Sequence, residues 1–294
     1  MKTKRIDIIQ RYNDLNRPLI LDGAMGSLLI QRGIEYDPFL WTSKANITSP
    51  QLVKELHNNY INSGADIITT NTFRTNPAAY KNTYLNISNE TFVNMSVSLA
   101  MEARKEKEII IAGSNAPAED CYQAERTISF IELEFNHKSH IQMLWDSGVD
   151  IIWNETFSHM DEIKIVCEYC SSNNIPFVIN FFFNENLKLL CGETLIKAVD
   201  YVLRYYPVAI GYNCITPNIF SKNHFFNFNH PWGFYLNCGS GKYTDKTIKC
   251  GISPEEYLAF IKPYLRQKPL FIGSCCGSTP EHTKNIKDYI NKEY

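Results

Sequence analysis

No stretch of this 294-residue chain approaches the ~20 consecutive apolar residues that a membrane-crossing helix needs. The longest hydrophobic run, Phe177 to Phe183, has the length of a strand and is interrupted by Asn180. The first residues, Met1 to Asn16, are polar and charged and lack the apolar centre of a secretion signal. Long basic runs are also missing, and the net charge is only -2, so electrostatics offer no reason to expect nucleic acid or an anionic membrane surface as partner. Neither a repeat period nor a low-complexity tract or linker divides the chain. Nine cysteines are present, but the odd count, the chain length and the missing signal argue against a secreted disulfide scaffold. The expectation is one soluble, cytoplasmic domain whose thiols are free for other chemistry.

What is present is a composition for a large core, 44% hydrophobic and 20% charged. Short apolar strands alternate with helical stretches almost from end to end. Strands are expected at Leu19–Leu21, Ala65–Thr70, Ile109–Ala112, Asp150–Trp153, Phe177–Phe181, Val208–Ile210, Gly233–Leu236 and Leu270–Ile272. Between them the 3.6-residue pattern marks helices at Gln51–Ser63, Glu90–Lys107, Phe135–Asp146, His159–Ser171, Leu195–Tyr205 and Pro254–Leu265. The segment Ile219 to Pro231 fits this scheme poorly, being rich in aromatics and Asn where a crossover helix is due. Eight such strands imply a parallel sheet and suggest an α/β fold closed as a (β/α)8 TIM barrel. Periodicity alone leaves an open, doubly wound sheet as the rival.

The residues that carry chemistry cluster just after the expected strands. Cys275 and Cys276 stand side by side in Ile272 to Pro280, Ile-Gly-Ser-Cys-Cys-Gly-Ser-Thr-Pro. On a regular strand neighbouring side chains point to opposite faces, so two adjacent thiols reach one partner only from a turn. Gly273 and Gly277 permit that turn. A third thiol, Cys214, ends Gly-Tyr-Asn-Cys after the sixth strand. Three sulfur ligands with an open fourth position describe a catalytic zinc site, because structural zinc usually has four protein ligands. Asp22, Thr70 to Phe73 and Asn154 to Phe157 also follow strands. In a parallel barrel all these ends meet at one mouth, where such folds place their active sites. This favours the barrel over the open sheet.

In this order the segments resemble the homocysteine S-methyltransferase family, the zinc-dependent barrel methyltransferases. The similarity rests on Leu21 to Gly26 (Leu-Asp-Gly-Ala-Met-Gly), Gly211 to Cys214 and Gly273 to His282, and more loosely on Glu155 to Phe157 and Asn180-Phe181 with Gly192. It runs from about Leu19 to His282. The resemblance implies one homocysteine-binding barrel over residues 1–294, with 1–17 as an N-terminal extension. It further implies Zn2+ on Cys214, Cys275 and Cys276, acidic contacts to the substrate from Asp22 and Glu155, and a cradle for its amino-acid end along Gly23, Ala24 and Met25. Asn213 is a candidate for substrate contact or for tying up backbone groups beside the zinc loop. The chain departs from the family at Ser114 to Tyr122, where a Gly-Pro-Tyr-Gly type loop is frequent. It departs again at Leu236 to Gly241, in place of Pro-Asn-x-Gly-Glu, and at Asn180, where Ser is usual.

The chemistry accounts for these residue types. A free thiol with pKa ~8.5 is only a few per cent thiolate at neutral pH, whereas zinc coordination deprotonates it outright. Three protein thiolates keep the centre electron-rich, which suits a sulfur nucleophile better than activation of water. The methyl donor is expected to be an onium compound, since a neutral leaving group lowers the barrier. S-methylmethionine comes first, then S-adenosylmethionine or another sulfonium, then betaine. A cationic donor calls for aromatic surface, and Phe73, Phe157, Tyr122 and Tyr235 follow or end strands. The alternatives are methyl transfer to another small thiol or selenol, or a non-catalytic zinc- or thiol-binding protein of the same fold. Cys167 and Cys170 lie three positions apart along one helical stretch and are read as core; Cys121, Cys191, Cys238 and Cys250 as free thiols; His282 as a helix-start residue; Asp245 as surface.

Overall fold

The computed structural model describes residues 5–222, 230–240 and 248–294. Among them the strands are β1 (Leu19–Ile20), β2 (Ile67–Thr69), β3 (Ile110–Asn115), β4 (Ile151–Phe157), β5 (Phe177–Phe181), β6 (Ala209–Asn213), β7 (Trp232–Leu236), β8 (Gly239–Ser240), β9 (Lys249–Cys250) and β10 (Phe271–Ser274). β8 and β9 form a small antiparallel pair. The other eight make one parallel sheet in the order β1-β10-β7-β6-β5-β4-β3-β2. A parallel bridge from Leu21 to Ile67, with Asp22 N–H donating to Ile67 C=O at 2.9 Å, joins the two ends into a barrel. The expected (β/α)8 barrel is therefore the fold. Every strand found in the sequence is present.

The strands run further at their C-terminal ends than apolar runs indicated. β3 continues through Ser114 and Asn115, β4 through Asn154, Glu155 and Thr156, and β6 through Asn213. Polar side chains end the hydrophobic signal there while the backbone stays in the ladder, so Glu155 and Asn213 sit on strands rather than after them. Helices wrap the outside at Pro50–Asn62, Asn89–Arg104, Phe130–Asp146, Met160–Ser172, Leu195–Leu203, Pro254–Leu265 and Pro280–Glu293. The fourth-strand partner helix starts at Phe130 instead of Phe135, because Ser129 and Glu132 close a capping box that satisfies its first amides. His282 falls in the first turn of the last helix, where its ring accepts from the Thr279 backbone N–H at 3.1 Å. Most of Ile219 to Pro231, and Asp245, lie outside the described residues.

The N-terminal extension contains a helix, Ile8–Leu15, capped by Asp7 and packed with buried Ile8 against the apolar bottom of the barrel. That end is also held by two buried ion pairs, Arg17 with Asp66 and Arg104 with Asp150, each at 2.7 Å. Asp66 accepts from Ile20 N–H and Asp150 from Ile111 N–H, so the carboxylates are bonded on several sides, as burial requires. Charge is thus paired at the closed end, and the opposite mouth is left for chemistry. No helix among the described residues is long and apolar enough to cross a membrane.

Candidate metal and substrate site

Cys214 follows β6 directly, and Cys275 and Cys276 follow β10. The three sulfurs lie within 4.8 Å of one another, with Cys275 and Cys276 3.9 Å apart. Cys214 has φ 56°, a left-handed conformation unusual for a residue with a side chain, which turns its sulfur off the strand line toward the others. Hydrogen bonds donated by Cys275 and Cys276 hold Cys214 well below the ordinary thiol range. Serving as donors to Cys214 holds Cys275 and Cys276 well above it.

The sulfurs face a cavity of about 710 Å³ that is also lined by Asp22, Gly23, Ala24, Met25, Phe73 and Glu155. Asp22 is buried, and Thr69 donates to its carboxylate from backbone N–H at 2.8 Å and from its hydroxyl at 3.2 Å. Burial outweighs those bonds and raises its pKa well above the usual carboxylate range. Glu155 accepts from the Ser114 hydroxyl and, at 3.2 Å, from the Tyr235 hydroxyl. Burial, with some help from the nearby Cys214, raises it to about 7. Its aim comes from β4, whose register against β5 shifts between Asn154 and Phe157, with Thr156 at φ 64°. Such irregularities re-aim side chains next to active sites.

Gly23 to Met25 is pinned from two sides. Ala24 N–H donates to Ser278 Oγ at 3.0 Å, and Tyr60 O–H donates to Ala24 C=O at 2.9 Å. A Cβ on Gly23 would lie 2.6 Å from Ser278 Oγ and 2.9 Å from the Tyr60 ring, so only glycine passes between them. Asn213 is placed apart from the cavity. Its Oδ1 accepts from Thr156 N–H and its Nδ2 donates to Thr156 Oγ1, both at 2.8 Å. Of the two roles open to Asn213 in the sequence, the structure displays the one that ties up groups beside the cysteine loop.

Of the four aromatic candidates, Phe73, Tyr122 and Tyr235 line the cavity, whereas Phe157 is buried outside it against His137, centroids 5.5 Å apart. Three further cavity aromatics, Tyr36, Phe39 and Trp41, were not found by sequence reasoning. They sit in a loop before the helix Pro50–Asn62, not at a strand end, so strand-end placement could not point to them. Trp41 meets Phe73 edge to face at 5.7 Å and covers Gly26, where a Cβ would fall 2.2 Å from its ring. The expected result of Gly26→Ala is a shifted Trp41 and a loss of about 1–3 kcal/mol, as for other overpacked contacts. Chemical denaturation with tryptophan fluorescence measures both; an unchanged midpoint would contradict the contact. Cys167 and Cys170 are buried in their helix, as core residues should be, and the nine cysteines form no disulfide.

A closed parallel barrel with three convergent sulfurs and two cavity carboxylates at its C-terminal mouth defines an α/β-barrel enzyme with a thiol cluster of metal-binding geometry. The chain belongs to the homocysteine S-methyltransferase family, whose model matches residues 19–290. It is 27% identical to the homocysteine S-methyltransferase of Escherichia coli K12, covering 92% of this chain and 94% of that one. It is 24% identical to homocysteine S-methyltransferase 2 of Zea mays (93% and 90%) and 24% identical to the selenocysteine methyltransferase of Astragalus bisulcatus (92% and 91%). The fold is also that of the metallated homocysteine methyltransferase of Escherichia coli, with TM-score 0.80 over 96% of this chain and all of that one, at 24% identity.

Proposed function

We propose that the protein transfers a methyl group from an onium donor, S-methylmethionine first, to the thiolate of homocysteine, giving methionine, with zinc held by Cys214, Cys275 and Cys276. The observation that carries this reading is the convergence of three sulfurs within 4.8 Å, from strand ends some sixty residues apart, on a cavity that also holds Asp22 and Glu155. An all-sulfur donor set in this spacing suits zinc, and the cavity leaves the fourth direction to a substrate. Zinc bound there supplies deprotonation of the acceptor thiol at neutral pH.

The chain's own groups then orient two substrates. Asp22 and Glu155 are acceptors for the ammonium of the amino-acid end, and the pinned backbone at Gly23 to Met25 borders it. Both carboxyls resist ionisation when the cavity is free of cations. An arriving ammonium favours their charged forms, so binding and ionisation are coupled. The faces of Trp41, Phe73 and Tyr235 offer an onium donor contacts worth about 0.5–2 kcal/mol each. Arg74, which also lines the cavity, complements a donor carboxylate.

Zinc content and methionine formation measured together, under reducing conditions, test this reading with S-methylmethionine, S-adenosylmethionine, a third sulfonium and betaine as donors. Near one zinc per chain with turnover from a sulfonium donor is the expected result. Metal without turnover from any donor would instead support the non-catalytic alternative. The kinship with a selenocysteine methyltransferase favours one second reading, a selenol acceptor. Comparing kcat/KM for homocysteine and selenocysteine decides it.

A further inference from the structure

Buried polar groups are hydrogen-bonded as a rule, and at Glu155 that requirement fixes three side chains in sequence. Trp153 and Glu155 stand two positions apart on β4 and so share its inward face. Tyr235 reaches them from β7, with β5 and β6 standing between in the sheet, so the contact crosses the barrel. Trp153 Nε1–H donates to Tyr235 Oη at 3.1 Å, and the Tyr235 hydroxyl donates to Glu155 Oε2 at 3.2 Å. An indole N–H can only donate, so it uses the phenol oxygen as acceptor and leaves the single phenol proton to Glu155. The indole is itself wedged in place. It has no exposed surface and meets Phe271 edge to face at 4.6 Å. The Phe271 ring fills space left by glycines, since a Cβ on Gly211 or Gly233 would lie 2.8 Å or 2.6 Å from it.

Ser114 completes the arrangement from β3, its hydroxyl donating to the other carboxylate oxygen, Oε1. Each oxygen of Glu155 thus takes one hydroxyl, from a different strand, and keeps its remaining lone pairs for the cavity. We infer that Tyr235 and Trp153 are positioning residues for the ammonium of the acceptor. The indole N–H sets the rotation of the Tyr235 hydroxyl, and that hydroxyl holds the Glu155 carboxylate in the plane the ammonium meets. A side chain fixed in this way gives up less freedom when its ligand arrives. The inference rests on the reading of Glu155 as acceptor of the homocysteine ammonium. It adds to that reading the groups that make the carboxylate selective for thiols carrying a free amino group.

The test compares homocysteine with its des-amino analogue γ-mercaptobutyrate, which keeps the thiol and the carboxylate and lacks the ammonium. Both are titrated calorimetrically into the zinc-loaded whole chain. The wild type is expected to bind homocysteine about 10–100-fold more tightly, the range for a charge-assisted bond. Tyr235→Phe keeps the ring and removes the hydroxyl. Homocysteine binding should then weaken about tenfold, while γ-mercaptobutyrate binds as before. Replacing Trp153 by its benzothiophene analogue, in which sulfur stands in for the ring N–H, keeps both the shape and the Tyr235 hydroxyl. It should weaken homocysteine alone by about threefold, and it carries the test should Tyr235→Phe fail to fold. Equal weakening of both ligands, or weakening of neither, overturns the role of the residue altered. A wild type that binds the two ligands equally overturns the reading of Glu155 as an ammonium acceptor. One that binds neither overturns the thiol site itself, and both failures are distinct from the loss of the positioning role.

Discussion

Cys276→Ala is expected to bind zinc on the order of 10²–10³ times more weakly and to lose methyl transfer to the limit of detection. Zinc held by three or four protein ligands is worth ~10–16 kcal/mol at neutral pH, so one thiolate of three accounts for roughly 3–4 kcal/mol. The two remaining sulfurs cannot compensate, because Cys214 and Cys275 leave from different strands, β6 and β10, and no other thiol lies within 4.8 Å of both among the described residues. Cys276→Ser is the control for shape, with expected loss of the same order because a hydroxyl stays protonated where a thiol ionises. Metal analysis after dialysis against a weak chelator, followed by a methionine assay, checks the result. Retained zinc and retained turnover in Cys276→Ala would remove this cysteine from the centre.

Glu155→Gln is expected to separate stability from activity. Burial raises Glu155 from 4.5 to about 7, so the folded protein holds this proton more tightly than the unfolded chain. The stabilisation is therefore complete below pH ~4.5 and is lost as the pH rises through 7, with roughly 2–3 kcal/mol of it lost between pH 5 and pH 8. Glutamine does not titrate. Denaturation at pH 5 and pH 8 should show the wild type losing that amount relative to the variant. Catalysis should move the other way. A charge-assisted bond to the acceptor ammonium is worth about 1.5–3 kcal/mol, so the variant's KM for homocysteine at pH 8 should rise ~10–100-fold. In the wild type, kcat/KM should fall as the pH drops below 7, where free Glu155 holds its proton. Parallel pH profiles for the two proteins would remove Glu155 from the binding step.

Much of this could be read from the chain because strands and chemistry alternate in it. Apolar runs of three to six residues lead into polar groups, and a parallel barrel turns that alternation into a single mouth. Cys214, Cys275, Cys276, Asp22 and Glu155 were all reached in this way, and all face the cavity. What escaped has a common physical cause. Trp41 and Tyr36 belong to a loop with neither period nor strand end. Tyr60 and Ser278 act on the Ala24 backbone, and sequence carries no mark of which hydroxyl meets which carbonyl. Phe157 satisfied the strand-end rule yet points outward, because the shifted register of β4 sends Glu155 to the mouth and its neighbour two residues on to the helices. Asn213 shows the same limit. A polar residue beside a ligand is legible, but whether it faces substrate or a neighbouring threonine is decided by backbone angles.

The joint between β1 and β2 is the shortest in the barrel, and Asp22 stands on it. After the Asp22 N–H rung to Ile67, the Thr69 amide is taken by the Asp22 carboxylate instead of a backbone carbonyl. The group proposed to receive the acceptor's ammonium is thus also a stave fastening of the cylinder. On that proposal, occupancy by an amino acid is expected to charge the carboxylate and strengthen its hold on the Thr69 amide. The ligand tightens the cask from the inside, and hydrogen exchange at Ile68 and Thr69 should slow when homocysteine binds, with no contact between the ligand and either amide.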